Sequence, residues 1–313
     1  MSSLTAASSS REPPRVSRPT AASSGPHLAT ASSAASSRRR RLSCSELEFI
    51  HPFCRLYYTS LPASAFWFSA TLRVASINSC HLPDDVVETL HFPQLKQLGL
   101  GFIEISNGAL NRLIAGCPVL EYLLLNSGYF EGIRIKSPSI ISIGISSGKL
   151  IIEDAPSLVS VKMLAISTSD LNVHMVINLL ICFPCVEKLY IESAVSKDRN
   201  FWRRKHRDLI KCLDMRLKTI VLKNYRGTKS QLSFASFFVL NAKLLELMVF
   251  EGEVYKDDQI SIAEQHRLLQ LEKRASIGAR FSFTAGRRCR HNILPHIKHV
   301  SDLSITNPFE CTC

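Results

Sequence analysis

Residues 95–100, Leu-Lys-Gln-Leu-Gly-Leu, contain the pattern that decides the fold of this chain. Apolar side chains occupy its first, fourth and sixth positions, Leu95, Leu98 and Leu100. The same LxxLxL frame, with other apolar residues also allowed at these positions, begins again at Leu72, Leu120, Ile140, Leu158, Val186, Leu217, Leu244 and Val300. Nine copies in one chain indicate an internal repeat.

The spacing of the copies predicts the type of repeat. Successive starts lie between 18 residues (140 to 158) and 31 residues (186 to 217) apart, and the last interval, 56 residues, equals about two such units. Leucine-rich repeats have periods of roughly 20–29 residues. Each x-L-x-L piece is predicted to be a short parallel strand whose apolar side chains enter a core shared with its neighbours. The prediction is an α/β fold, a leucine-rich-repeat solenoid in which short parallel strands alternate with helices.

The solenoid is predicted to be irregular. The first copy extends to LxxLxLxxCxL through Cys80 and Leu82. The side chain at the cysteine position normally hydrogen-bonds the turn that leaves the strand. Later copies have Ile103, Gly128 or Ala194 there, so the row of polar side chains that would bond successive turns is mostly missing. Taken singly, any one copy is more simply interpreted as an ordinary core strand.

Helices are predicted between several strands. Ser106 is a candidate N-cap for a helix that ends at Gly116, Cys117 and Pro118. Residues 172–183 form an apolar run that stops at Pro184. Apolar and amphipathic patterns also predict helices at 233–240 and 262–275.

Charge is concentrated at the amino terminus. Residues 1–44 contain seven arginines and one acidic residue, 7 − 1 = +6 of the formal net charge of +12, in a Ser/Ala-rich segment without apolar periodicity. We predict that this segment is disordered, because it cannot bury enough surface to offset the entropy of ordering. The run Arg38, Arg39, Arg40, Arg41 fits a nuclear import signal, a phosphate-contacting arm, the end of a cleaved organellar transit peptide, or a solvated basic tail.

The sequence predicts neither secretion nor a membrane span, because it lacks a secretory apolar core and any run of 18 apolar residues. Its ten cysteines are then most simply reduced thiols. Cys182 and Cys185 form a CxxC, but no second pair completes a zinc site. We expect no metal and no cofactor.

No catalytic motif accompanies the repeats. The sequence has no GxSxG elbow and no GxxxxGK[ST] phosphate loop, and His291, His296 and His299 match no common ligand spacing. We therefore expect a protein that is not an enzyme.

The basic cluster at residues 197–211 is compatible with single-stranded nucleic acid, since Phe201 and Trp202 lie among seven basic residues. Asp198 and Asp208 interrupt it, which favours a solvated surface. A nuclear nucleic-acid-binding protein is kept as an alternative, and an organelle-targeted protein with a cleaved amino terminus as another.

Three carboxyl-terminal stretches, 217–227, 237–246 and 264–276, closely resemble the FBD region of plant F-box/LRR proteins. Residues 299–304 and 307–309 look like that family's terminal strand, and 91–98 and 115–121 resemble its repeats. The resemblance implies irregular leucine-rich repeats at 45–210, an FBD-like domain at 211–309 and a short tail at 310–313.

The resemblance also implies a function. Such proteins are substrate receptors of cullin-type (SCF) ubiquitin ligases and dock the Skp adaptor through an F-box, a helical module not found in these residues. The expectation is a protein-interaction module, in nucleus or cytoplasm, that binds an unknown protein ligand on its repeat surface. We expect no Skp adaptor, nucleic acid or membrane as a partner.

The residues that the resemblance singles out are structural. Asn224, Tyr225 and Gly227 are expected to shape a strand exit. A second set, Phe237, Phe238 and Asn241, is expected to shape a helix and its end. The packed face of the last helix is expected to contain His266, Leu268 and Leu269.

Overall fold

A ten-stranded parallel sheet runs through nearly the whole described chain. The structure, a computed structural model, describes residues 45–50, 59–60, 66–126, 130–133, 135, 137–146, 150–152, 158–168, 171, 173–193, 216–252, 262–285, 297 and 299–309. The predictions for residues 1–44, with Arg38 to Arg41, for the basic cluster at 197–211 and for the tail at 310–313 lie outside these residues.

The strands of the main sheet follow one another in chain order, with all neighbours parallel. They are β1 (Glu46–Ile50), β3 (Val74–Asn78), β5 (Gln97–Gly101), β7 (Tyr122–Asn126), β9 (Ser142–Ser146), β11 (Met163–Thr168), β12 (Lys188–Ser193), β13 (Thr219–Lys223), β14 (Leu247–Gly252) and β15 (Arg280–Ala285). Two small parallel sheets contain β2 (Thr59–Ser60), β4 (Cys80–Leu82) and β6 (Glu104–Ile105), and β8 (Phe130–Ile133) and β10 (Leu150–Ile152).

The described helices connect successive strands. They are α1 (Asp84–Glu88), α2 (Asn107–Ala115), α3 (Val173–Cys182), α4 (Lys229–Asn241) and α5 (Ile262–Leu268), with 3₁₀ turns at Leu271–Lys273 and Val300–Ser304. Ser106 caps α2 as predicted, since its Oγ accepts from Ala109 N at 3.0 Å. The helix predicted for 262–275 stops early, because Gln270 adopts the left-handed conformation (φ +56°).

Pairing in register builds the core. Because side chains alternate across a strand, paired residues stack on one face from strand to strand. One inward row contains Leu47, Ala75, Leu98, Leu123, Ile143, Leu164, Leu189, Ile220, Met248 and Phe281. The residues three positions before the members of this row, from Ala75 to Met248, supply a second row that is at most 2% exposed: Leu72, Leu95, Leu120, Ile140, Val161, Val186, Leu217 and Leu245.

Two copies of the predicted frame are out of register. In the fifth, Leu164 and Ile166 are inward and Met163 lies on the opposite face. In the eighth, Leu244 is 51% exposed, whereas Leu245 is 2% exposed. The cause is the same in both: closely spaced apolar residues fit the frame in more than one register, and strand pairing selects one of them.

The ninth copy is not a strand. Val300 and Leu303 belong to a 3₁₀ turn that lies on the other face of the sheet. The tenth strand is instead β15, whose Phe281 and Phe283 pair with Met248 and Phe250. The frame missed β15, and it also missed β1, which pairs with β3.

Alternating charges line the amino ends of the central strands. Lys96 Nζ lies 2.7 Å from Glu121, and Glu187 lies 3.2 Å from Lys162 Nζ and 2.9 Å from Lys218 Nζ. Each of these residues directly precedes a strand, so the in-register strands bring them side by side. Hydrogen bonds from Lys218 and Lys162 lower the pKa of Glu187.

We predict a clear difference between two adjacent leucines. Leu245→Ala removes a fully buried side chain and should lower the free energy of unfolding by about 2–5 kcal/mol. Leu244→Ala should change it by less than about 0.5 kcal/mol, because that side chain is exposed. Urea unfolding of both variants measures the difference, and equal losses would contradict the register described above.

A second prediction concerns pH. Because the pKa of Glu187 is lowered in the folded state, its stabilisation is present above its unfolded pKa and is lost as pH falls through the folded value. Glu187→Gln should therefore cost up to about 1 kcal/mol near neutral pH, since the pairs are partly exposed. The cost should shrink in acid and in high salt. A cost that does not change with pH would argue against an ionic contribution.

Candidate functional site: the sheet face beneath the carboxyl-terminal strap

The face of the sheet opposite the core is apolar in its middle. Its central row contains Ser76, Gly99, Leu124, Gly144, Ala165, Tyr190, Val221 and Val249. Leu124, Ala165, Tyr190 and Val221 are at most 6% exposed. A sheet with two apolar faces needs a cover on both sides.

The carboxyl-terminal segment, residues 297 and 299–309, supplies this cover, and we call it the strap. Ile297, Val300, Leu303 and Phe309 are at most 1% exposed and form one apolar cluster with the central row. The strap crosses the strands rather than pairing with them. It contacts β5, β7 and β9 through the 3₁₀ turn.

Two glycines make room for the strap. A Cβ at Gly99 would lie 3.3 Å from Val300 Cβ. One at Gly144 would lie 2.9 Å from Leu303 Cδ2 and 2.8 Å from Leu124 Cδ1. Val300 and Leu303 therefore fit into two depressions of the sheet. The two side chains are three residues apart on the strap, and the two depressions are two strands apart on the sheet.

Polar contacts hold the two ends of the strap. At its start, His299 Nδ1 lies 3.5 Å from a carboxylate oxygen of Glu48 in β1. Towards its end, Tyr190 OH donates to the carbonyl of Thr306 at 2.5 Å, and Lys223 Nζ donates to the carbonyl of Phe309. Burial raises the pKa of Tyr190, which keeps its hydroxyl a donor. The strap thus runs from β1 to β13.

The strap also stabilises its own turns. His299 N donates to Asp302 Oδ2 at 3.1 Å, and Ser304 Oγ donates to the carbonyl of Ser301 at 2.7 Å. Phe309 N donates to Asn307 Oδ1 at 3.1 Å. These local bonds favour the shape that presents Val300 and Leu303 to the sheet.

Asn224, Tyr225 and Gly227 lie in the turn that leaves β13. Asn224 and Gly227 adopt left-handed conformations, with φ of +57° and +69°. Tyr225 OH donates to Gln265 Oε1 at 2.7 Å, and a Cβ on Gly227 would meet Gln265 Nε2 at 2.9 Å. Gln265, which sequence reasoning did not single out, closes this turn from α5.

Phe237, Phe238 and Asn241 lie on α4. Both phenylalanines are buried, with ring centroids 4.9 Å apart. Asn241 Nδ2 donates to the carbonyl of Phe237 at 2.7 Å, so this side chain bonds back onto the last turn of the helix.

The packed face of α5 differs from the expected one. Leu269, just after the helix, is fully buried, but Leu268 is half-buried and His266 is exposed. The His266 ring centroid lies 5.7 Å from that of Phe283. Gln265 and Leu269, four positions apart, form the buried face instead of His266 and Leu268.

Gln231 is a second residue that sequence reasoning missed. Its Oε1 accepts from Arg226 N at 2.8 Å, and its Nε2 donates to Ser193 Oγ and to the carbonyl of Asn224, both at 3.0 Å. It therefore ties α4 to β12 and to the turn after β13. The Thr228-x-x-Gln231 capping box was the available signal.

The thiols lie in apolar surroundings. Burial raises the pKa of Cys80 and of Cys117 to about 12, and it also raises the pKa of Cys182. Cys182 and Cys185 are free and half-buried. Within the described part of the chain, no three His, Cys, Asp or Glu residues are grouped to hold a metal ion. Nor does that part contain a helix long and apolar enough to cross a membrane.

The occupant of the strap face was not predicted. The available signal was the apolar residue between the two core positions of consecutive strands, such as Leu124, Tyr190 and Val221. These residues make the strands continuous apolar runs, which indicate a sheet buried on both faces.

Two family models match the chain. One, described as "FBD-associated F-box protein At5g56370, LRR repeats", matches residues 38–160 and 157–191. The other, FBD, matches residues 205–250. The chain belongs to the F-box/LRR/FBD-type family. No curated protein shows a significant match.

The two matched parts of this F-box/LRR/FBD-type protein share one sheet. The repeats end with β12 and the FBD match contains β13 and β14, yet β12 pairs with β13 in the same register as the strands before it. The strap spans both parts, because it contacts Glu48 at one end and Lys223 at the other.

We predict that Gly144→Val weakens the packing of the strap. The added side chain would overlap Leu303 and Leu124 and should lower the free energy of unfolding by about 1–3 kcal/mol. It should also speed proteolysis near the carboxyl terminus. Gly278→Val is the control, since no atom of the described residues lies within 4 Å of a Cβ there. Equal effects of the two variants would contradict the packing described.

Proposed function

We propose that the chain is the substrate-recognition part of a cullin-type (SCF) ubiquitin-ligase receptor and that it binds its protein partner on the repeat sheet. The observation that carries the proposal is the continuity of the sheet. Repeat strands and FBD strands form one surface from β1 to β15. In this proposal the units form an irregular leucine-rich-repeat solenoid.

The side chains of the sheet support binding rather than chemistry. Beneath the strap, its middle is apolar and its ends carry polar side chains, so this face, when uncovered, has the apolar centre and polar rim of a protein interface. Families built from LRR and FBD regions are generally of a non-catalytic interaction type. We extend this to the chain and propose that it has no enzymatic activity of its own.

We further propose that residues 45–313 do not dock the Skp adaptor themselves. A receptor part without adaptor contact should protect its partners from degradation, whereas the same part joined to an F-box should direct their degradation.

The test compares the half-lives of cellular proteins after translation is stopped. Cells express either this chain or this chain with an F-box fused to its amino terminus. We expect the same partners to be stabilised by the first and destabilised by the second. A third arm uses the fused chain with Tyr190→Asp and Val221→Asp, two buried changes on the strap face, and its folding is checked by cooperative urea unfolding.

Three results would count against the proposal. One is that no protein binds either chain. Another is that bound proteins have the same half-life in all arms. The third, co-purification of the Skp adaptor with the unfused chain, would overturn the part that concerns adaptor docking.

A further inference from the structure

We propose that the strap is an intramolecular ligand, which fills a groove that also binds a short segment of another protein. The inference rests on the proposed function, because it assigns the part of the sheet that the partner uses. The segment would carry two apolar side chains three positions apart, like Val300 and Leu303. The strap must leave before the partner can bind.

The floor of the groove defines the apolar part of this ligand. Gly99 and Gly144 lie two strands apart, and each faces one strap side chain. Aliphatic β- or γ-branched side chains fit these depressions, as Val300 and Leu303 do. Both are 1% exposed, so the contact with the sheet is complete.

The ends of the groove define direction. Glu48, at the β1 end, faces a residue that can carry positive charge, His299. Lys223 and Tyr190, near the β13 end, donate to main-chain carbonyls. Main-chain carbonyls occur in any peptide, so these donors would hold a foreign segment equally well. The segment would therefore start with a residue that can pair with Glu48, continue with the apolar pair, and end with main-chain carbonyls that face Tyr190 and Lys223.

The groove also contains a polar atom that the strap does not use. Gln97 Oε1, on the same face as Gly99, is buried and has no hydrogen-bond partner within the described part of the chain. A ligand with a donor at this position would gain a bond that the strap does not make. Because a buried acceptor without a partner is unfavourable, such a donor would favour the foreign segment.

The main-chain ladders of the sheet do not depend on the strap. Among the described residues its backbone pairs with no strand, and the strands complete their ladders with one another. Its turns are held by its own side chains. Release of the strap would leave the ladders between the strands intact and would break the bonds from Tyr190 and Lys223.

The first experiment uses a fluorescein-labelled synthetic peptide of residues 297–309 and the full chain. In the double variant Val300→Asp with Leu303→Asp, the groove is vacated, and the peptide should bind at least tenfold more tightly than to the unchanged chain. The control peptide carries the same two aspartates and should not bind. Fluorescence polarisation gives the affinities.

A disulfide lock, which ties the strap to the sheet, should have the opposite effect on peptide binding. The 3.3 Å between Val300 Cβ and a Cβ at Gly99 is close to the spacing of a disulfide. Gly99→Cys with Val300→Cys is made with Cys311→Ser and Cys313→Ser to prevent wrong pairing. The oxidised chain should lose peptide binding, and reduction should restore it.

A third measurement needs no peptide. Leu303→Cys in the otherwise unchanged chain places a thiol in the strap, and the buried Cys117 of the same molecule is the internal reference. If the strap opens by itself, a thiol reagent should modify position 303 at least tenfold faster than Cys117 under native conditions. Mass spectrometry of the two peptides gives both rates.

The proposal is overturned by any of four results. These are equal modification rates at the two thiols, equal binding of labelled and control peptide to the aspartate variant, equal binding to the oxidised and reduced lock, and loss of cooperative unfolding in the aspartate variant. The last would make the strap a fixed part of the core. A cellular partner that binds the oxidised and reduced lock equally would overturn this inference and leave the proposed function standing.

Discussion

The parallel pairing of ten strands in one register is the constraint on which the rest of the structure depends. Since successive side chains point to opposite faces, a shift by one residue would exchange the core row for the strap-face row in that strand. The charged residues before the strands favour the same alignment, because Glu187 contacts both Lys162 and Lys218 only if their strands are in this register. Their number matters more than their individual strength, since exposed pairs contribute little each.

The same register creates the strap face. When Leu98 and Leu100 point into the core, Gly99 must point away from it, and Gly144 follows from Ile143 and Ile145 in the same way. The depressions that receive Val300 and Leu303 are thus a consequence of core packing. One sequence pattern specifies both faces of the sheet, and the strap packs against the face opposite the core.

Much of the fold was predictable because its signal is local and repeated. The frame at Leu95 and the cap at Ser106 each identify an element from a few residues. The register of some strands was not predictable from the sequence. Leu244 and Leu245 fit the frame equally well, and only pairing with β13 decides between them. The strap was missed for a related reason. Val300, Leu303 and Ile305 match the strand frame, but β15 already extends the sheet, and the apolar strap-face row offers these residues another place to bury.

A covered binding face has an energetic consequence. The strap is part of the same chain, so its local concentration at the groove is in the millimolar range for a short tether. A foreign segment of equal intrinsic affinity therefore binds only in proportion to the fraction of open molecules. If one molecule in a hundred is open, the apparent affinity falls about a hundredfold. A partner can overcome this only with contacts that the strap lacks, and a hydrogen bond to Gln97 Oε1, which no described residue makes, would be one such contact. The groove would then discriminate against segments that merely imitate the strap.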